Sequence, residues 1–264
     1  MKGIIINGYK GFIAKNFISK FKSKYKILRY KKDINDIELF KKFIYRKKFT
    51  HLIYFAGLSR KKCISCKKEC LQTNFLSIKK TIDLLNTLSL KPVFIFISSS
   101  HVYGHSKYRL KETSKLKPKD LYSQLKLKSE NYIRKNYKNY SILRVFNVYG
   151  KDQPLNFFVP DVIYKIKNKQ KIIINKSIRD FIHISDVTKI IDFIIKKKIN
   201  RTLNVGSGKG YRLNYLIKNI SIQLNIKPNI LEKLQSTKIV ADITRLKSYG
   251  FKFNKNAKHF NIYQ

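Results

Sequence analysis

Residues 3–14 read Gly3-Ile4-Ile5-Ile6-Asn7-Gly8-Tyr9-Lys10-Gly11-Phe12-Ile13-Ala14. A short apolar run of β-branched residues predicts a buried strand. The two glycines that follow predict a tight turn, and Phe12–Phe21 carries helical periodicity. In a strand–turn–helix unit, Gly8 permits the turn. Gly11 lets backbone amides approach a phosphate at the helix N-terminus, where the dipole favours an anion.

The same alternation continues outward. Strands are expected at Lys26–Tyr30, His51–Phe55, Val93–Ser98 and Tyr140–Arg144. Helices are expected at Asp36–Tyr45, Cys70–Leu88 and Leu121–Asn136. This pattern predicts an α/β fold, a Rossmann-type doubly wound parallel sheet over residues 1–150. After Gly150 the pattern loosens. A helix is expected at Phe157–Lys167 and a strand at Lys171–Asn175, then a helix near Asp186–Lys196 and a strand at Thr202–Val205. A smaller C-terminal substrate-binding lobe, 151–178 and 206–264, is expected, with segments near 179–205 returning to the main sheet. Ligands of open α/β sheets bind beyond the strand C-termini, so the residues just after each strand are the ones to weigh.

The chain has 264 residues and 43% hydrophobic content, enough for a real core. No run of 18 apolar residues occurs, so no membrane span is expected, and the N-terminus lacks the pattern of a signal peptide. Three cysteines, Cys63, Cys66 and Cys70, offer no fourth ligand for a structural zinc site. They are read as free thiols in a reducing cytoplasm, and no metal site is expected. The formal charge of +43 invites a nucleic-acid reading. However, lysine outnumbers arginine 48 to 10 and is spread along the whole chain, with only four alanines. That fits compositional drift with a solvated lysine surface better than a phosphate-reading face.

Tyr122 and Lys126 stand four residues apart in the expected helix, one turn along one face. A lysine beside a tyrosine favours the phenolate and general-base chemistry. By composition roughly three such spacings arise by chance. The chain has two, and the other, Tyr103/Lys107, has Gly104 in a strand-exit loop, where the residues do not share a face. Context therefore has to decide.

Several ordered blocks supply it. Gly8-x-x-Gly11-Phe12-Ile13-Ala14 is followed by Asp33-Ile34, Phe55-Ala56-Gly57-Leu58 and Asn74. Ser98-Ser99-Ser100-His101-Val102-Tyr103-Gly104 precedes Tyr122-x-x-x-Lys126. Then come Arg144-Val145-Phe146-Asn147-Val148-Tyr149-Gly150, Arg179-Asp180-Phe181-Ile182-His183, Asn204-Val205-Gly206-Ser207-Gly208 and Ala241-Asp242-Ile243. In this order the chain resembles the extended short-chain dehydrogenase/reductases, the NAD-dependent epimerase/dehydratase group acting on nucleotide sugars, over residues 3 to about 251. The resemblance implies Tyr122 as general base/acid, Lys126 as its modulator and Ser99 as the hydroxyl that holds the reacting oxygen. It implies cofactor contacts at Gly8, Gly11, Phe12, Ile13, Asp33, Ile34, Phe55, Ala56, Gly57, Asn74, Tyr122, Lys126 and Phe146, with Lys126 bonding the nicotinamide ribose. Substrate contacts are implied at Ser99, Ser100, Asn147 and Arg179, and so is a homodimer. His183 and Asp186 are read as structural.

Departures narrow the expectation. Ser100-His101 stands where dehydratases of the family carry Asp-Glu, so no acid is offered for water elimination. The second strand ends Arg29-Tyr30-Lys31-Lys32 where NAD users carry an acid. Arg29 and Lys31 suit a 2′-phosphate and favour NADP slightly over NAD. Leu234-Gln235-Ser236-Thr237-Lys238 occupies a stretch where relatives often place another phosphate-gripping arginine. The expected activity is hydride exchange at a sugar carbinol or ketone, as an epimerase or a 4-ketoreductase. The competing reading is a Rossmann-fold protein that binds nucleic acid or regulates through its basic surface. It has no need of Ser99, Tyr122 and Lys126 together.

Overall fold

The computed structural model describes residues 2–45 and 47–253. The last part of the expected small lobe, 254–264, lies outside them. The chain runs β1 (Gly3–Asn7), α1 (Phe12–Phe21), β2 (Lys26–Arg29), α2 (Ile37–Tyr45), β3 (His51–Tyr54), α3 (Arg60–Ser65), α4 (Lys67–Leu71), a π-helical turn (Gln72–Leu76), α5 (Ser77–Thr87) and β4 (Val93–Ser99). A 3₁₀ turn (Ser100–Tyr103) leads to α6 (Leu121–Asn136), β5 (Tyr140–Val145), β6 (Asn147–Tyr149), α7 (Phe158–Lys167) and β7 (Lys171–His183). Then follow α8 (Ile184–Lys197), β8 (Thr202–Val205), β9 (Gly210–Arg212), α9 (Leu213–Leu224), β10 (Asn229–Ile239) and α10 (Thr244–Ser248).

Six strands form a parallel sheet in the order β2-β1-β3-β4-β5-β8. The period of two along β1 explains why it is covered on both faces. Ile4 and Ile6 pack with Phe17 of α1 and Val187, Ile190 and Ile194 of α8. Ile5 between them packs with Phe40 of α2, Ile82 of α5 and Ile133 of α6. From β1 the chain steps to β2 on one side and to β3 on the other, and the strand order reverses there. That is the crevice where an open α/β sheet takes its ligand.

A second sheet, β10-β7-β6, carries β9 antiparallel to β7. Its own core joins Val162 and Ile166 of α7 with Ile172, Ile174, Leu216 and Ile220. The strand expected at Lys171–Asn175 continues to His183, because β10 pairs with it as far as Arg179 and β6 from Phe181 onward. The stretch Leu234–Lys238 lies within β10.

Two local readings change. The single helix expected at Cys70–Leu88 is broken into α4, the π-helical turn and α5. The cysteines are not all free: Cys63 and Cys70 form a disulfide, and Cys66 is free. The corner between α3 and α4 brings the two Cα atoms to 5.1 Å although they lie seven residues apart. The cysteine count, read above as a mark of a reducing compartment, therefore no longer speaks for one. Among the described residues, no helix is long and apolar enough to cross a membrane.

Candidate active site

The site rests on α6 and the end of β4. Helix α6 begins at the expected residue because Asp120 caps it, accepting from the Ser123 amide at 2.9 Å while Ser123 Oγ reaches back to the Asp120 amide. From there Tyr122, Lys126 and Glu130 recur every four residues on the face turned to β4. Glu130 is fully buried and accepts from Ser98 Oγ at 2.6 Å and from the Arg144 guanidinium at 2.7 Å. Arg144 also donates to Tyr103 Oη, which donates to Asn204 Oδ1. This buried network ties α6 to β4, β5 and β8, and so fixes the height of Tyr122 and Lys126 above the strand ends.

Lys126 is buried. Its Nζ donates to the Ile97 carbonyl at 2.9 Å and lies 4.8 Å from the centre of the Phe96 ring. Burial pulls the ammonium down to about 8, against the opposing pull of Glu130. Tyr122 is half-buried, and burial lifts its phenol above the usual value, while the Ser99 hydroxyl draws it back down. The sequence leads one to expect that Lys126 favours the phenolate. In the folded chain Nζ stands 5.9 Å from the Tyr122 ring centre and donates to the Ile97 carbonyl, and burial is the largest influence on the phenol. The Ser99 hydroxyl lies near enough to the Tyr122 phenol to favour its ionised form.

The glycine turn meets the exit of β3, and Gly57 just after that strand reaches Lys126. Gly8 has φ +61°, and a Cβ there would stand 2.5 Å from the Ala56 amide nitrogen. The β1 and β3 exits therefore approach as only glycine allows. Asn7, fully buried, explains the join: its Oδ1 accepts from the Phe55 and Ala56 amides at 2.9 and 3.1 Å. Gly11 caps α1 without a side-chain acceptor, so the first-turn amides over Phe12 and Ile13 are left to a ligand. Arg29 and Lys31 are exposed at the end of β2, followed by exposed Asp33 and buried Ile34. The exposed backbone of Gly57 lies between Asn74 and Lys126: a Cβ there would stand 3.1 Å from Asn74 Oδ1 and 3.4 Å from Lys126 Nζ. A cleft with a side-chain-free floor, open amides and a buried lysine fits a dinucleotide.

Asn74 occupies the π-helical turn. Its carboxamide accepts from the Leu58 amide at 2.7 Å and donates to the Leu58 carbonyl at 3.1 Å, holding the loop after β3 as a strand would. Its Nδ2 also lies 3.4 and 3.5 Å from the sulfurs of Cys63 and Cys70. The extra residue of a π turn aims Asn74 inward, a device common at functional sites. Phe146 is buried among Val102, Tyr103 and Ile239. Ser100 is buried in the 3₁₀ turn.

Arg179 and Asn147 lie on the paired strands β7 and β6. The Arg179 guanidinium donates to the Thr237 carbonyl and hydroxyl at 2.9 and 2.6 Å rather than to Asp180. Burial and the nearby Arg60 push it down to about 10. Asn147 Nδ2 donates to the Asp180 carbonyl. The Asp180 carboxylate instead accepts from Ser207 N, Ser207 Oγ, Gly208 N and Ala241 N. It locks the loop after β8 to β7 and to the chain after β10. Sequence reasoning assigned no role to Asn7, Glu130 or Asp180. The signal for Glu130 was its i+4 spacing from Lys126. Asn7 and Asp180 carry none, since their partners lie far along the chain.

A separate cavity of about 540 Å³ opens near Tyr149, His183, Ser207, Tyr211 and Phe251. It includes none of Ser99, Tyr122, Lys126 or Arg179.

The family model of the NAD dependent epimerase/dehydratase family matches residues 4–206, and the chain belongs to that family. It is 34% identical over 145 residues to a GDP-6-deoxy-D-talose 4-dehydrogenase of Aggregatibacter actinomycetemcomitans, covering 51% of this chain and 49% of that protein. It is 31% identical over 171 residues to a dTDP-4-dehydro-6-deoxyglucose reductase of Escherichia coli, covering 61% and 54%. The chain thus spans about half the length of the curated relatives it matches. A UDP-N-acetylglucosamine 4-epimerase from Methanobrevibacter ruminantium M1, solved with UDP-N-acetylmuramic acid, superposes with a TM-score of 0.86 at 24% identity, covering 97% of this chain and 94% of that one. RMD from Pseudomonas aeruginosa, solved with NADPH, superposes at 0.84 with 18% identity, covering 94% and 92%. At these identities the likeness is one of fold.

Proposed function

We propose that this protein carries out hydride and proton exchange at a secondary-alcohol carbon of a nucleotide sugar, as an epimerase or a 4-ketoreductase. The observation that carries the reading is the approach of the Ser99 hydroxyl to the Tyr122 phenol, beside the cleft formed by Gly8, Gly57 and Lys126. Two relatives named for redox chemistry at the 4-position support it. A nicotinamide nucleotide, when bound, supplies the site that takes up or gives back hydride. The residues here do the rest. Gly8, Gly11 and the amides over Phe12 and Ile13 receive the pyrophosphate, while Asp33, Ile34, Phe55, Ala56, Asn74 and Phe146 line the cleft. Ser99 and Ser100 hold the reacting oxygen, and Tyr122 exchanges its proton with it. Lys126, beside the backbone of Gly57, meets the nicotinamide ribose, and Asn147 and Arg179 take the substrate diphosphate.

The exposed Arg29 and Lys31 support NADP over NAD. Following protein-bound NADH and NADPH by fluorescence tests this: NADPH should bind more tightly, and Arg29→Ala with Lys31→Ala should level the two. The reading is also one of a homodimer. The activity itself is tested by NADPH oxidation in the presence of nucleotide 4-keto sugars, and by interconversion of 4-epimers without net redox. Silence in both assays across uridine, thymidine and guanosine sugars would remove the proposal.

A further inference from the structure

Five histidines occur in the chain, and among the described residues His101 faces the proposed chemistry. His51 pairs its Nδ1 with Thr50 Oγ1, and His183 pairs its Nδ1 with Ser185 Oγ. His105 is exposed, and His259 lies outside the described residues. His101 differs from the other described histidines. It stands in the 3₁₀ turn directly after β4, and its backbone amide donates to Ser99 Oγ at 3.2 Å. That bond fills an acceptor site of the serine and leaves its proton to point elsewhere. The imidazole meets the Tyr122 ring edge-on, with centroids 6.2 Å apart. Among the described residues, neither of its ring nitrogens has a hydrogen-bond partner, and neither is sealed from solvent. A half-buried imidazole with both nitrogens open, beside the proton-transfer pair, is a group awaiting a ligand.

Its charge state is settled by its surroundings. Burial holds the imidazole down to about 4, reinforced by Arg60, Arg179 and His105 and opposed by Asp120. The ring is therefore neutral at working pH and carries one donor and one acceptor. A sugar hydroxyl carries the same pair.

Resting on the function proposed above, we propose that His101 is a specificity-determining residue of this site, hydrogen-bonding a hydroxyl of the sugar ring next to the reacting carbinol carbon. A site built to bond a hydroxyl rejects a ligand lacking it, because its own polar atom is then left unpaired.

The test uses the full chain labelled with ¹⁵N in its histidine rings, with the His101 signals assigned by their loss in His101→Gln. UDP, dTDP and GDP are titrated alongside UDP-glucose, dTDP-glucose and GDP-mannose, and calorimetry records saturation. A sugar-bearing nucleotide should shift the His101 ring nitrogens, while the matching bare nucleotide at equal saturation leaves them in place. An equal shift with the bare nucleotide overturns the proposal, and so does saturation by the sugar nucleotide with no shift. In both cases the nucleotide-sugar reading itself stands. Binding of none of the six removes both. With an active substrate, His101→Ala should lower kcat/KM roughly tenfold, the scale of one hydrogen bond, and His101→Gln should recover most of it. Equal losses in the two variants, or loss matched by a fallen melting temperature, would mean a structural role and overturn the proposal.

Discussion

Tyr122 and Lys126 show what one residue inherits from its neighbours. Their spacing alone is no more than chance in a chain with 17 tyrosines. What distinguishes the pair is Ser99 across the gap and the buried Glu130 one turn further on. Replacing Tyr122 by Phe removes only the hydroxyl to which the proposed function assigns proton exchange. Turnover should fall by about 10²–10⁴-fold with the far-ultraviolet dichroism unchanged. Lys126 makes a pH prediction. Its folded value of about 8 lies below the ordinary lysine value of 10.5. Between those values the unfolded chain binds more protons, so stability rises with pH across that window; below it the full cost of burying the charge is present. Lys126→Met does not titrate. Urea unfolding of the two proteins should therefore show the parent gaining up to about 3 kcal/mol relative to the variant between pH 8 and pH 10.5.

At the scale of elements, α6 was legible to the residue. Its signals are local: an Asp-x-x-Ser cap and a helical period. The break within Cys70–Leu88 was not legible. A π-helical turn there serves Asn74, whose partners on Leu58 lie 16 residues away, and no periodicity announces them. The disulfide escaped for the same reason, since the α3–α4 corner brings Cys63 to Cys70 and the spacing does not. Titration of native protein with a thiol reagent in the absence of reductant should find one reactive cysteine per chain, Cys66, and three after reduction. Asn74→Ala leaves the Leu58 amide and carbonyl without their partners. It should cost about 1–3 kcal/mol in denaturant unfolding and weaken nucleotide binding together with it.

For the whole molecule, the excess of charge is sharpened by burial. Glu130, Asp180, Asp186 and Asp192 are among only 15 acids, and all four are buried. The surface is left more positive than the composition implies, so self-repulsion opposes folding. Raising sodium chloride from about 10 to about 150 mM shortens the Debye length to about 8 Å and should raise the melting temperature. The Glu130–Arg144 pair is a joint of the whole fold. Glu130→Ala would strand the Arg144 guanidinium in the core and should cost about 3–5 kcal/mol by urea unfolding.

The parallel sheet and the order of the site blocks were determined by the sequence itself, because short apolar runs, turn glycines and helix caps act over a few residues. Only the tertiary structure decided that β7 runs on to His183, that Arg179 leans on Thr237 and that burial is the largest influence on the Tyr122 phenol. Those outcomes depend on desolvation and on partners brought from distant parts of the chain, which no local pattern encodes.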